Sequence, residues 1–505
     1  NGVYNTGGRI DSFGSPFGNL LTNRLVITNS IVVHSVNGPQ VTVIEGSQVP
    51  GTVNGLSAVR CLFIENNLNV MVSGFTLSNG ATFLHSQLSF GASDNYGGGV
   101  FCWSPSGVWA SPVISNCVIT ACSSGEGGGG VWGGNYLNCT IANNSSVFGG
   151  GAYFASLTNC TINNNSASII ISSMPYGNMG GGTFDSRLSN CQLFNNYSAT
   201  RGGGSCWFSI TAPAVACVYL NNTAPNGAGT QGGSLTNCTF WNNFGSSANF
   251  GTLHNCILKN SSATGANGST LINCTVTRNA LGLINATAIN CIVYGNTNEI
   301  NTCTLFNCCS RSASANSFVA RGNFTNAPLF VDPVSGDFRL QMNSPCINAG
   351  ANAYVQTAVD FDGQLRIAGS FVDVGACEYQ APLSGLPYYW LQQYGLPTDG
   401  LADGVDTDGD GADNWQEWSC STDPTNSLSL LEMLPLANGV PGLFATWRSV
   451  SNVSTYFVQR STNLGSPAAF QTISSNLTGS ASGITRIRDR SATNTGPYFY
   501  RVGIR

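Results

Sequence analysis

The chemistry most legible in the chain is acidic. Six aspartates crowd one short stretch, at Asp399, Asp403, Asp406, Asp408, Asp410 and Asp413. Carboxylates this dense repel one another unless a cation gathers them. Their spacing says which kind of cation. In the twelve residues from Asp406 to Glu417, Asp406, Asp408 and Asp410 stand at positions 1, 3 and 5. Gly411 stands where a calcium loop turns sharply, Ala412 can offer its carbonyl, and Glu417 can close the shell with both oxygens. The pattern predicts a Ca2+ site, the alternative being a solvated acidic linker.

Catalytic chemistry is harder to place. Between Asn19 and Pro328 the acids are Glu45, Glu65, Asp94, Glu126, Asp185 and Glu299, spread thinly along the chain. Sugar hydrolysis or elimination asks for paired carboxylates, or a cation and a base, on one surface. The best constellation is Asp185, Arg187 and Arg201. Asp185-Ser186-Arg187 is expected on one strand and Arg201 just before the next turn, with a surface ion pair as the plainer reading. His34, His85 and His254 have no neighbour in sequence that would form a proton relay and read as packing or surface residues.

These residues must be held by a repeated scaffold. An Asn-Cys pair recurs at Asn116-Cys117, Asn138-Cys139, Asn159-Cys160, Asn190-Cys191, Asn237-Cys238, Asn255-Cys256, Asn273-Cys274 and Asn290-Cys291, with Cys217 and Cys308 as imperfect members. The uneven spacing suits solenoid coils with loop insertions. In Leu157 to Asn165, Leu157, Cys160 and Ile162 can face inward, while Asn159 and Asn164 fit left-handed turns in which their amides can stack. Glycine runs at Gly97 to Gly99, Gly127 to Gly130, Gly149 to Gly151, Gly180 to Gly182 and Gly202 to Gly204 read as corners. The aromatic residues after them, Phe101, Trp132, Tyr153, Phe184 and Trp207, are expected to form a second ladder. Coils about 4.8 Å apart would stack the cysteines with their Cβ atoms parallel, which favours a buried, reduced column over disulfides. Zinc binding needs four ligands converging on a point, which a ladder does not supply.

Composition narrows the partners. Only 8% of the 505 residues are charged and the net charge is −5. Lys259 is the single lysine and the arginines are scattered, so nothing tracks a phosphate backbone and nucleic acid is not an expected partner. No apolar run is long enough for a membrane span. The chain begins without Met or a signal peptide and reads as a mature, processed fragment.

At this point a resemblance becomes visible. Ser35 to Gly46, Val59-Arg60-Cys61 and Ser73 to Leu77, with the Leu-x-Asn-Cys-Thr and Gly-Gly-Gly units, resemble the large β-helix family of secreted proteins of environmental bacteria. Ser344 to Gly350, Asp360 to Gly363 with Arg366, and Val372 to Tyr379 resemble the choice-of-anchor module that closes such helices. In that family more chain usually precedes the equivalent of Asn1-Gly2-Val3-Tyr4. The resemblance implies a fold and secretion, and no agreed activity. The acidic loop also resembles a thrombospondin type 3 repeat, in which Asp413 would be an additional ligand. From Leu431 onward the alternation in Phe444 to Trp447, Tyr456 to Arg460 and Tyr498 to Val502 resembles a fibronectin type III module.

The expected architecture is therefore all-β. It comprises a right-handed parallel β-helix over 1–328, a closing module over 329–382, a short helix and calcium loop over 383–430, and a small β-sandwich over 431–505. Two functions follow. The first is a non-enzymatic, extracellular or cell-surface structural or adhesive protein, contacting polysaccharide or copies of itself head to tail. The second is a carbohydrate-active β-helix enzyme.

Overall fold

The computed structural model describes residues 2–10, 21–65, 68–84, 93–102, 112–169, 177–208, 213–312, 317–318, 322–450, 455–465, 470–493 and 496–504. His85 lies outside them. They divide into two compact units.

The first unit comprises residues 1–341, 350–367 and 372–380. Its short strands assemble into three 13-stranded sheets, each taking one strand from successive coils. Apart from the antiparallel pair Arg9–Ile10 and Thr22–Ile27, the pairings in these sheets are parallel. This is a parallel β-helix, wound in the right-handed sense of β-crossover-β connections. Successive coils stay in register although their lengths differ: 31 residues separate Asn165 from Asn196, and 17 separate Asn279 from Asn296. The ladder contacts persist across both spacings, so coil length does not disturb them.

In the central coils most strands bury an apolar residue. Leu157, Cys160 and Ile162 are buried as the pattern requires. Asn159 and Asn164 adopt φ of 54°, the left-handed turn that asparagine tolerates. All nineteen cysteines are free thiols and all except Cys420 are buried. In the later coils the column is knitted together by weak bonds to sulfur. Cys238 N–H donates to Cys256 Sγ at 3.4 Å, Cys256 N–H to Cys274 Sγ at 3.3 Å, and Cys274 N–H to Cys291 Sγ at 3.3 Å.

The corner asparagines before cysteine stack where expected, Asn190 Nδ2 donating to Asn159 Oδ1 at 2.9 Å, and a second, buried amide ladder runs one residue beyond Asn164. Asn165, not Asn164, points inward, in a row formed by Asn144, Asn165, Asn196, Asn222 and Asn243. Each Nδ2 donates to the next Oδ1 at 3.0 to 3.2 Å, and that oxygen also accepts the backbone N–H of the preceding asparagine. The second proton of Asn165 goes to Ile141 O at 2.8 Å. Every amide is thereby satisfied where water cannot reach it. Farther along, Asn279 donates to Asn296, and Asn296 to the buried Glu299, which Arg311 pairs. Glu299 terminates a ladder.

The glycine runs are corners. Gly149 and Gly180 have φ of 61° and 71°. A Cβ on Gly150 would come within 2.5 Å of Gly181 O, so only glycine allows the coils to stack there. The aromatic ladder differs from expectation in its last member. Phe63, Phe101, Trp132, Tyr153, Phe184 and Cys206 share one register. Trp207 falls one residue later, where it is buried in the core and donates Nε1–H to Ser186 O at 2.9 Å.

The segments 350–367 and 372–380 lie along the corner formed by the Asn-Cys asparagines. Asn255 Nδ2 donates to Thr357 Oγ1 and Val359 O, both at 2.9 Å, Asn237 reaches Asp360 O, and Asn290 reaches Ala351 O. Within these segments the buried Arg366 pairs with Glu378 at 3.0 Å and donates to Ala376 O and Asp373 O.

The second unit comprises residues 342–349, 368–371 and 381–505. It holds two short helices, α1 (Tyr388–Gln393) and α2 (Asn414–Cys420). Two three-stranded antiparallel sheets follow, and residues from both pack around Ala445, Trp447, Tyr456 and Val458.

Candidate functional site

The acidic loop is built from the backbone outward. Asp406 folds the chain onto itself: Oδ1 accepts from Gly409 N–H at 2.8 Å and Oδ2 from Gly411 N–H at 2.9 Å. Asp408 Oδ1 accepts from Asp410 N–H, and Asp410 Oδ1 from Ala412 N–H. These turns bring one carboxylate oxygen of each of Asp406, Asp408 and Asp410 within 4.8 Å of the others. Gly409 and Gly411, at φ of 78° and 97°, supply turns that a side chain would strain.

The loop ends in α2, a helix whose start is signalled by Asp413 and Gln416 three residues apart. Asp413 and Gln416 form a reciprocal capping box: Gln416 N–H donates to Asp413 Oδ1 at 2.8 Å, and Asp413 N–H to Gln416 Oε1 at 3.1 Å. Asp413 lies outside the converging group of carboxylates, its oxygen committed to the helix end. Asn414 donates to Ala402 O and accepts from Thr407 Oγ1, anchoring the loop. Trp418 packs edge-on against Tyr389 and Trp390 of α1, and this fixes the rotation of α2. That rotation decides where Glu417 points.

Glu417 is fully buried, and neither of its carboxylate oxygens has a hydrogen-bond partner. The second oxygens of Asp408 and Asp410 are likewise buried without partners. Burial, reinforced by the charges of Asp408 and Asp410, pushes the Glu417 carboxyl up to about 7, and burial beside Asp410 also raises Asp408. Buried, unpartnered carboxylate oxygens cost free energy unless something replaces their water. An all-oxygen donor set with a potentially bidentate glutamate suits a hard cation, Ca2+ above others. Asp406, Asp408 and Asp410 would hold it; Glu417 lies outside the converging group, as Asp413 does, but feels the charges of Asp408 and Asp410 and would close the shell from position 12, with Ala412 at position 7 of the loop. Asp403 and Asp399 serve the surrounding chain instead: Asp403 accepts from Ser384 Oγ and Gly385 N–H, and Asp399 from Leu401 N–H.

The solenoid candidates are arranged differently. Asp185 is not on a strand with Arg187. It occupies a left-handed corner at φ 44°, buried, with Oδ1 accepting Phe208 N–H at 2.8 Å. Arg187 and Arg201 are exposed. The strand ends at Phe184 because the corner intervenes, so the Asp-Ser-Arg triplet spans a bend. Glu126 is also buried and accepts from the Tyr96 hydroxyl. Burial first, then the Glu126 charge, raise Tyr96 far above the usual phenol range.

No family model matches the chain, and no curated protein does. Among solved structures it is similar to pectate lyase Pel9A, at 13% identity and a TM-score of 0.32, over 69% of this chain and 87% of that one. It is also similar to full-length tailspike protein 2 of the Escherichia coli O157:H7 bacteriophage CAB120, at 10% identity and a TM-score of 0.19, over 95% of this chain and 58% of that one. The fold assignment rests on the strand pairings described above. No helix among the described residues is long and apolar enough to cross a membrane.

Proposed function

We propose that the chain is an extracellular or cell-surface structural and adhesive protein, non-enzymatic, that binds Ca2+ in the 406–417 loop and presents its β-helix to polysaccharide. The observation that carries this reading is the convergence of Asp406, Asp408 and Asp410, with Glu417 buried, both its oxygens unpartnered, under the charges of Asp408 and Asp410. Carboxylates at these positions are a donor set for a hard cation. The solenoid acids support a scaffold: Asp185 closes a corner, Glu126 is bonded by Tyr96, and Glu299 ends an amide ladder. A neutral surface rich in amides and aromatic rings suits carbohydrate, whose hydroxyls and ring faces offer the complementary groups.

Two measurements test the reading. Calorimetric Ca2+ titration should show binding that Asp408→Ala with Glu417→Ala abolishes; unchanged binding in that variant would remove the site. Incubation with neutral and acidic polysaccharides should bind without releasing reducing ends or unsaturated products. Turnover would instead make the protein a carbohydrate-active enzyme.

A further inference from the structure

Charge is distributed unevenly along the solenoid. From Ser186 to Asn298 there is no aspartate or glutamate, while Arg187, Arg201, Lys259 and Arg278 give this stretch a formal charge of +4 in a chain whose net charge is −5. Stacking brings two of these cations to adjacent coils. Lys259 pairs in register with Thr277, and Arg278 follows Thr277 at an exposed left-handed corner. Neither makes an ion pair among the described residues. The nearby hairpin does not neutralise them: Asp337 is paired by Arg339, and Asp332 accepts from Val334 N–H and Ser335 N–H. Burial first, and then the neighbouring Arg278 charge, lower the Lys259 ammonium below its ordinary range, as expected for a cation without a counter-ion.

Aromatic rings stand beside these charges. Trp241 pairs in register with Lys259, whose Nζ lies 4.4 Å from the indole centroid and 5.3 Å from that of Phe338. Phe194, Leu220 and Trp241 continue the same outward row on preceding coils. Around the corner, Tyr197, Thr223 and Phe244 form a parallel row. Trp241, Phe244 and Tyr197 are 41%, 56% and 45% exposed, and they cluster beside the two cations.

We propose that the strip of Trp241, Lys259 and Arg278, extended by Phe244 and Tyr197, is a binding site for an anionic polysaccharide, specifically a polyuronate. A sugar ring would lie on the exposed aromatic faces while Lys259 and Arg278 meet ring carboxylates on neighbouring residues. The planar fork of arginine matches a carboxylate with two parallel hydrogen bonds, and lysine supplies a point charge. Coils spaced about 4.8 Å apart set Trp241, Lys259 and Arg278 on three successive coils, a course along which a linear polymer can lie. The proposal deepens the polysaccharide-contacting reading above and rests on it.

The test uses the full chain with polygalacturonate, a neutral glucan and a sulfated glycan, in chelator so that Ca2+ cannot bridge polymer and protein. Polygalacturonate should bind best, and more weakly as salt rises. Lys259→Met, which keeps the stem between Trp241 and Phe338, and Arg278→Gln should each weaken it about tenfold. Trp241→Ala should weaken all ring stacking by a similar factor, while Arg486→Gln in the C-terminal sheets should change nothing. Thermal unfolding of each variant must match the parent for a loss to count. Preference for the sulfated or neutral polymer, or full affinity in the folded Lys259→Met/Arg278→Gln double variant, overturns the strip. Neutral-glucan binding indifferent to these variants would leave the adhesive reading standing without it; no binding to any polymer defeats both.

Discussion

Replacing Glu417 by Gln should do opposite things to calcium affinity and to the stability of the calcium-free protein. The side chain is fully buried, its two oxygens lack partners, and burial, with the charges of Asp408 and Asp410, pushes its carboxyl up to about 7. Near neutral pH the calcium-free carboxyl is therefore partly protonated, and Ca2+, which takes the carboxylate, must expel that proton. Binding enthalpies measured in buffers of different ionisation heat should report that release. The sign for stability follows from the raised value. The folded calcium-free protein holds a proton the unfolded chain gives up near pH 4.5, so stability present in acid is lost as pH rises through about 7. Saturating Ca2+ should cancel the loss. Glutamine fills the same space without the charge. It should cost about two orders of magnitude or more in Ca2+ affinity, abolish the proton release attributable to residue 417, and stabilise the calcium-free second unit by roughly 1 to 3 kcal/mol at pH 8. An unchanged affinity in Glu417→Gln, or a calcium-free variant less stable than the parent at pH 8, would refute the reasoning.

Asn165→Ala should destabilise the β-helix by about 2 to 4 kcal/mol in urea unfolding, because it orphans Asn144 and the Ile141 carbonyl in a dry interior. Asn164→Gly, at the adjacent left-handed corner, should cost only a few tenths. Thiol titration in denaturant should find about nineteen reactive groups per chain, whereas the native protein should expose Cys420 promptly and the others slowly. Cys160→Ala should cost about 1 to 2 kcal/mol through lost volume and leave ligand binding intact. Light scattering across a micromolar concentration series tests end-to-end self-association, which predicts mass growing with concentration; a constant monomer mass would exclude it.

The coil pattern was readable because one residue type recurs where one backbone conformation recurs: asparagine before cysteine marks a left-handed corner, and glycine runs mark places where coils touch. What sequence did not reveal were differences of a single position. Asn164 and Asn165 are the same residue type, and only the corner's geometry turns one outward and the other into the ladder. Trp207 looked like a member of the aromatic row, yet the register gives that place to Cys206. Asp185 seemed to share a strand with Arg187, but φ of 44° puts a bend between them. At the acidic loop, ligand spacing was legible because a calcium loop is local in sequence. Asp413, which the thrombospondin type 3 resemblance makes an additional ligand, caps α2, a role signalled by Asp413-Asn414-Trp415-Gln416. The docking of 350–367 on the corner asparagines had no sequence signal, since the partners are about a hundred residues apart.

The most direct test of the account is a crystal structure of the full chain grown with Ca2+. It should show one ion coordinated by Asp406, Asp408, Asp410 and both oxygens of Glu417, at oxygen distances of about 2.3 to 2.6 Å. A loop without an ion at saturating Ca2+, with Glu417 still buried and unpartnered, would contradict it.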